Sequence, residues 1–213
     1  MNIVLKKDIK SFLIVIIFGI CMGSLCATLD LIPGNNIWTF SSFSGSLGFW
    51  AITGMIVLMQ SDNWKLAGIN TFLYFGFMNT AFFFTHIMLP FKYPRLTGID
   101  NALMESLTWL IPSFICGICA IIAYQAKKNN KCGVIALSLP LGLLVFESIS
   151  AFCSIIINHK YLFQTIVDVC GFVLLFFLYK DKKEKIYVLL TSLLVGIILL
   201  LIQYLLNSNI LYY

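Results

Sequence analysis

Long apolar segments recur along the whole of this 213-residue chain, and short polar stretches separate them. A helix that crosses the hydrocarbon core of a membrane needs about 20 consecutive, mainly apolar residues. Seven segments approach that length, and they cover residues 12–31, 40–59, 66–89, 103–124, 133–157, 161–179 and 186–206. Hydrophobic residues make up 60% of the chain and charged residues 11%, whereas soluble domains average about 45–50% and about 25%. Lipid must therefore surround most of the folded chain.

The same segments predict the secondary structure. In lipid, an α-helix satisfies its backbone hydrogen bonds within one segment, so each segment is expected to be helical. The sequence thus predicts an all-α fold, a polytopic bundle of seven transmembrane helices. Residues 1–213 are expected to form a single integral membrane domain, because the length leaves no room for a separate soluble domain.

Basic residues predict the orientation of the chain. Eleven of the 14 lysines and arginines lie at the N-terminus or in the loops after the second, fourth and sixth predicted helices, and three lie in the opposite loops. Because cytoplasmic loops carry the excess of basic residues, the N-terminus is expected inside and the C-terminus outside. This distribution explains the net charge of +5 without a nucleic-acid partner. The expected location is the cytoplasmic membrane of a bacterium.

Two acidic side chains lie within the predicted fifth and sixth helices. Glu147 is placed near the middle of the bilayer and Asp168 about seven residues into the sixth helix, and a short loop makes these helices antiparallel neighbours. Ionisable groups at such depth mark functional sites, so both carboxyl groups are expected to face the interior, approach each other and share a proton. Gln164 precedes Asp168 by four residues on the same face. Alternatively, each group separately bonds a neighbouring helix and only fixes the bundle.

A second set of polar side chains lies toward the outer ends of the predicted helices. His86 is near the end of the third helix, with Asn79 two turns deeper, and Glu105 and Asp30 lie at the ends of the fourth and first helices. If these helices surround one space, it forms an acidic cavity that opens outward. The alternative is a packing or interfacial role, and an acidic residue such as Glu105 also suits a helix N-terminus. The predicted solute-binding residues are therefore Glu147, Asp168, Gln164, Asn79, His86 and Glu105.

Small residues recur every four positions in the first predicted helix, at Gly19, Gly23 and Ala27. Such a row allows another helix to approach closely. It is expected to pack against a helix of the same chain, and the alternative is an interface with a membrane partner protein.

Motifs for catalysis and cofactor binding are missing from the sequence. There is no His-Glu-x-x-His zinc motif, no Gly-x-Ser-x-Gly elbow and no phosphate-binding loop. Two histidines are too few for a multi-histidine metal site. The Cys116 and Cys119 pair lies deep in an apolar segment, where thiols are usually inert. Neither a metal, a cofactor nor a catalytic residue is predicted.

Residues 38–50, with the sequence WTFSSFSGSLGFW, span the junction of the first two predicted helices. On this stretch and on its overall plan, the chain resembles uncharacterised small polytopic membrane proteins of bacteria. The resemblance implies a membrane location and no activity, so no residue role follows from it. The small-residue row of the first helix is also similar to one in the substrate-binding subunits of modular vitamin importers, but those subunits have six helices rather than seven.

Taken together, these features favour a non-catalytic, transport-related membrane protein that binds a small solute or a partner in an outward-facing polar cavity. One alternative is an intramembrane enzyme that uses Glu147 and Asp168 as acid and base. Another is an accessory or immunity-type membrane protein that acts through its helix surface.

Overall fold

A computed structural model of the protein describes residues 4–32, 36–89, 99–128, 130–178 and 184–210. Within these ranges the chain forms seven α-helices: α1 (Ile9–Asp30), α2 (Leu47–Gln60), α3 (Trp64–Met88), α4 (Ile99–Ala123), α5 (Lys131–Asn158), α6 (Leu162–Leu178) and α7 (Lys185–Ile210). The only β-type pairing in these ranges is an isolated bridge between Leu5 and Ser61. The predicted all-α fold with seven helices is confirmed, and the orientation of the termini stays a prediction.

Four helical stretches are long and apolar enough to cross a membrane: Ile9–Asp30, Ala102–Lys127, Lys131–Asn158 and Lys185–Leu206. Large apolar side chains on their outer faces are exposed, including Ile17, Ile111 and Leu194. Contiguous apolar surface of this extent is unfavourable in water and needs lipid or protein to cover it. The structure therefore fits a membrane protein, whereas a location in a bacterial cell membrane stays a prediction.

The third helix, α3, has 25 residues but is not among those four stretches. Its buried face carries polar side chains, among them Asn70, Thr71, Asn79 and His86. α3 packs against both α1 and α4, so protein covers much of its surface. A helix shielded in this way does not need the apolar composition of a helix that lipid surrounds.

The second helix begins later than predicted. Residues Phe40–Gly45 form a short 3₁₀ helix, and α2 starts at Leu47 and has 14 residues. Ser46 caps the new start, because its Oγ accepts a hydrogen bond from the Phe49 amide at 3.4 Å. α2 and the 17-residue α6 are both shorter than the roughly 20 residues that a simple crossing requires.

The first helix is capped at its N-terminus by Asp8. Its carboxylate accepts a hydrogen bond from the Ser11 amide at 2.7 Å, which satisfies one of the free N–H groups of the first turn. Hydrogen bonds from the Ser11 side chain and backbone lower the pKa of the exposed Asp8 carboxyl. The cap is therefore present at neutral pH.

Contacts divide the chain into two compact units. The first unit consists of Met1–Pro33, Phe40–Ser44 and Thr53–Tyr124, and the second of Gly34–Thr39, Gly45–Ile52 and Gln125–Tyr213. In the first unit, α1 and α4 pack against α3, and in the second, α6 and α7 pack against α5. A single domain for the whole chain stays a prediction.

The small-residue row of α1 lies against the backbone of α3. A Cβ atom added at Gly19 would lie 2.6 Å from the Tyr74 carbonyl oxygen, and one added at Gly23 would overlap the Met78 carbonyl. Ala27 is fully buried. The row therefore serves packing within the chain, and a membrane partner protein would have to bind another face of α1.

Candidate functional site

The Glu147 side chain of α5 reaches the N-terminal end of α2. Its Oε1 accepts a hydrogen bond from the Leu47 amide at 2.9 Å, and its Oε2 accepts one from the Gly48 amide at 2.6 Å. The Ser46 hydroxyl donates to the same Oε2 at 2.9 Å. The first amides of a helix have no partner within the helix, and its N-terminal end favours negative charge. Glu147 thus supplies the capping carboxylate for α2 from about a hundred residues further along the chain.

Asp168 lies beside this cap. A Cβ atom added at Gly48 would lie within 2.7 Å of both Asp168 Oδ1 and Glu147 Oε2, so these two oxygens are no more than about 5 Å apart. Asp168 is 0% exposed and Glu147 is 8% exposed. No donor among the described residues lies in hydrogen-bonding geometry with either Asp168 oxygen. The structure therefore places a buried carboxyl group with no donor in close hydrogen-bonding geometry next to one that accepts several hydrogen bonds.

Gln164 connects the two carboxyl groups. Its amide nitrogen donates to Glu147 Oε2 at 3.4 Å, and the Gln164 side chain also acts on Asp168 as a hydrogen-bond donor. The structure thus brings Glu147, Gln164 and Asp168 together, as the sequence predicted. Their role in binding a solute stays a prediction.

Gly48 is needed where the two carboxyl groups meet. An added methyl group would approach both carboxyl oxygens, and it would lie 3.0 Å from Leu144 Cδ2. We expect Gly48→Ala to lower the free energy of unfolding by about 1–3 kcal/mol, as overpacking of a filled interior does. Gly45→Ala is the matched control, because no atom of the described residues lies within 4 Å of a Cβ atom at Gly45. Thermal unfolding in detergent measures both variants, and equal losses of stability would contradict this packing.

The other predicted residues lie in the first unit. The Asn79 amide donates to Ser113 Oγ at 3.1 Å and joins α3 to α4. His86 Nε2 lies 3.5 Å from Asp30 Oδ2, and both residues are buried. The Ser44 hydroxyl donates to Asp30 Oδ1 at 3.3 Å. This unit therefore contains a buried acid–base pair at the C-terminal ends of α1 and α3.

Glu105 is separate from the buried groups. Glu105 is exposed on the surface of α4, whereas His86 and Asp30 are buried. The six predicted residues thus divide into Glu147, Gln164 and Asp168 in the second unit and Asn79, His86 and Glu105 in the first.

Three functional neighbours were missed by the sequence analysis: Ser44, Ser46 and Gly48. The signal that could have revealed them is the sequence Ser44-Gly45-Ser46 inside a segment that otherwise reads as one apolar helix. Glycine and serine together mark turns and helix starts. A helix that starts inside such a segment presents free amides and so requires an acceptor from elsewhere.

The described residues also form a pocket, which lies apart from the predicted site residues. A pocket of about 140 Å³ lies in the first unit, and its walls are Phe72, Leu73, Gly76, Phe77, Thr80 and Leu110. It is apolar and includes none of the predicted site residues. In the part of the chain that the structure describes, no cluster of three or more His, Cys, Asp and Glu side chains is arranged to hold a metal ion. The outward-facing polar cavity stays a prediction.

Comparisons with known proteins assign no family to the chain. No protein-family model, curated protein or solved structure matches it. Any functional conclusion must therefore come from the geometry of the two polar clusters.

Proposed function

We propose that this is a transport-related membrane protein that binds a small cationic solute at the carboxyl pair formed by Glu147 and Asp168. One observation carries the proposal: two acidic side chains are buried within about 5 Å of each other, and one of them has no donor in close hydrogen-bonding geometry among the described residues. Ionisable groups are rare inside membrane proteins because they are costly, and those present mark ion, proton and substrate pathways. A positive charge between the two oxygens would offset their mutual repulsion.

The residues around the pair would have different roles. Glu147 is held by the start of α2, so it fixes the geometry of the site. Asp168 has no donor in close hydrogen-bonding geometry among the described residues and would be the group that binds the cation. Gln164 lies one turn before Asp168 and would orient both carboxyl groups through its amide.

The proposal also includes an outward-facing polar cavity in the first unit, near His86 and Asp30. These two side chains form a buried acid–base pair, and such a pair can bind a polar solute or relay a proton. Asn79 is already engaged by Ser113, and the exposed Glu105 would meet a solute only at the entrance of the cavity.

Reconstitution into liposomes tests the proposed transport. The probe is the proton, followed by a pH-sensitive dye trapped inside the liposomes after a potassium diffusion potential is imposed. We expect the wild-type protein to admit protons faster than protein-free liposomes do. Asp168→Asn should reduce the flux to the protein-free level, because it removes the open carboxyl group and keeps its shape.

Glu105→Gln is the matched control for the flux measurement. It also neutralises one acidic side chain, but this side chain is exposed on α4, so the flux should equal that of the wild type. Equal flux in wild type and Asp168→Asn would contradict the proposal. A wild-type flux no higher than that of protein-free liposomes would also contradict the proposal, and this is the result expected of an enzyme or an accessory protein.

A further inference from the structure

Glu147 and Asp168 differ sharply in the number of hydrogen-bond donors around them. Glu147 Oε2 accepts from Ser46, Gly48 and Gln164, and its Oε1 accepts from Leu47. A carboxylate offers about four acceptor positions and no donor. The surroundings of Glu147 therefore consist of donors only, and none of these contacts requires a proton on its carboxyl group.

The surroundings of Asp168 are the opposite. It is completely buried, and neither oxygen has a described donor in close hydrogen-bonding geometry, the Gln164 side chain being the one described donor that acts on it. A buried carboxylate without donors is unfavourable, whereas a protonated carboxyl group becomes a donor itself. Its Oδ1 is within about 5 Å of Glu147 Oε2, and a proton on Asp168 removes the repulsion between two negative charges at this distance.

The space between the two carboxyl groups is small. A single methyl group placed on Gly48 would already crowd Asp168 Oδ1, Glu147 Oε2 and Leu144 Cδ2. A ligand with the volume of a methyl group at this position would have to displace these atoms. A proton needs no such space.

We infer that the Glu147 and Asp168 pair is a proton-binding site, in which Asp168 carries one exchangeable proton and Glu147 stays the capping carboxylate of α2. This inference deepens the proposed function, on which it rests, by naming the ligand of the site. The proton comes from solvent, forms an O–H bond on Asp168 and returns to solvent on release.

Few other groups can take part in this titration. Among the described residues, Glu147 is the one titratable group that acts on Asp168, and Gln164 is the one uncharged polar side chain that does. The stretch of α2 that belongs to this unit, residues 47–52, contains no ionisable side chain. Whether Asp168 carries a proton therefore depends on the charge of its neighbour Glu147.

Infrared spectroscopy of the purified full-length protein in lipid nanodiscs tests the inference. A protonated carboxyl group has its own carbonyl stretching band, which shifts in deuterated water. At neutral pH we expect this band in the wild type and its loss in Asp168→Asn. Glu147→Gln should keep the band but shift it, because the group next to Asp168 changes from a charged carboxylate to a neutral amide. Glu105→Gln should leave it unchanged.

Identical bands in wild type and Asp168→Asn would overturn the inference, and so would a band that disappears only in Glu147→Gln. The spectrum reports protonation whether or not the protein transports protons. A band assigned to Asp168 together with background flux in liposomes would contradict the transport proposal alone. Flux that depends on Asp168, without the band at neutral pH, would contradict the resident proton alone.

Discussion

Replacement of Glu147 by alanine is expected to lower the free energy of unfolding by roughly 3–5 kcal/mol, which is the range for breaking a buried charged network. The variant leaves the Ser46 hydroxyl and the amides of Leu47 and Gly48 without their acceptor. Buried donors that lose their partner cost about 1–3 kcal/mol each, and the contacts of Ser46 and Gly48 are buried. Chemical or thermal unfolding in detergent measures the loss.

The free energy of unfolding of Glu147→Gln should lie between those of the wild type and Glu147→Ala, because the glutamine amide oxygen can still accept a hydrogen bond from one of the α2 amides. The control is again the exposed Glu105, whose replacement by glutamine should change stability by less than about 0.5 kcal/mol. If Glu147→Ala and Glu105→Gln were equally stable, the carboxylate cap of α2 would not contribute to folding.

Gly23→Ala is expected to have the next largest effect, a loss of about 3 kcal/mol, at the upper end of the range for overpacking. The added methyl group would overlap the backbone carbonyl of Met78 and would also lie 3.1 Å from Ala81 Cβ. Backbone atoms cannot rotate away as a flexible side chain can, so α1 and α3 would have to separate. The measurement is the midpoint of thermal unfolding.

Gly76→Ala provides the matched control, because Gly76 is also a helical glycine of the first unit. A Cβ atom there would meet only Leu110 Cδ2, at 3.4 Å. Its stability should be unchanged or higher by up to about 1 kcal/mol, since alanine favours the helix over glycine. If Gly76→Ala lost as much stability as Gly23→Ala, the close approach of α1 and α3 could not be the cause of the loss in Gly23→Ala.

Most of the helices could be predicted, because each segment that lies in lipid must itself be apolar over its whole length. α5, for example, is predicted at residues 133–157 and observed at Lys131–Asn158. The start of α2 could not be read in this way, since apolar residues continue through Phe40–Gly45. What ends the preceding 3₁₀ helix is the local cap at Ser46 together with Glu147. The contact with Glu147 joins residues about a hundred positions apart, and the hydrophobicity of the sequence does not predict it.

The candidate site was predictable in part for the same reason. The proximity of Glu147 and Asp168 follows from the short connection between α5 and α6 and from the cost of ionisable groups in lipid. That α2 would donate two amides to Glu147 does not follow from either argument. For α3, the polar residues Asn79 and His86 suggested a cavity, but their described partners Ser113 and Asp30 lie on packed neighbouring helices. Side-chain pairing of this kind depends on how helices rotate about their axes, which a single sequence does not specify.

The stability of Asp168→Asn tests the central claim most directly, namely that Asp168 is held for binding and not for folding. Asp168 is buried without a donor in close hydrogen-bonding geometry among the described residues, so its carboxyl group adds little to stability, and asparagine is uncharged and has nearly the same shape as a protonated aspartate. The account predicts a free energy of unfolding equal to or above that of the wild type. A decrease of about 2 kcal/mol or more, the cost of losing a made buried hydrogen bond, would show that Asp168 is a structural contact and would contradict the account.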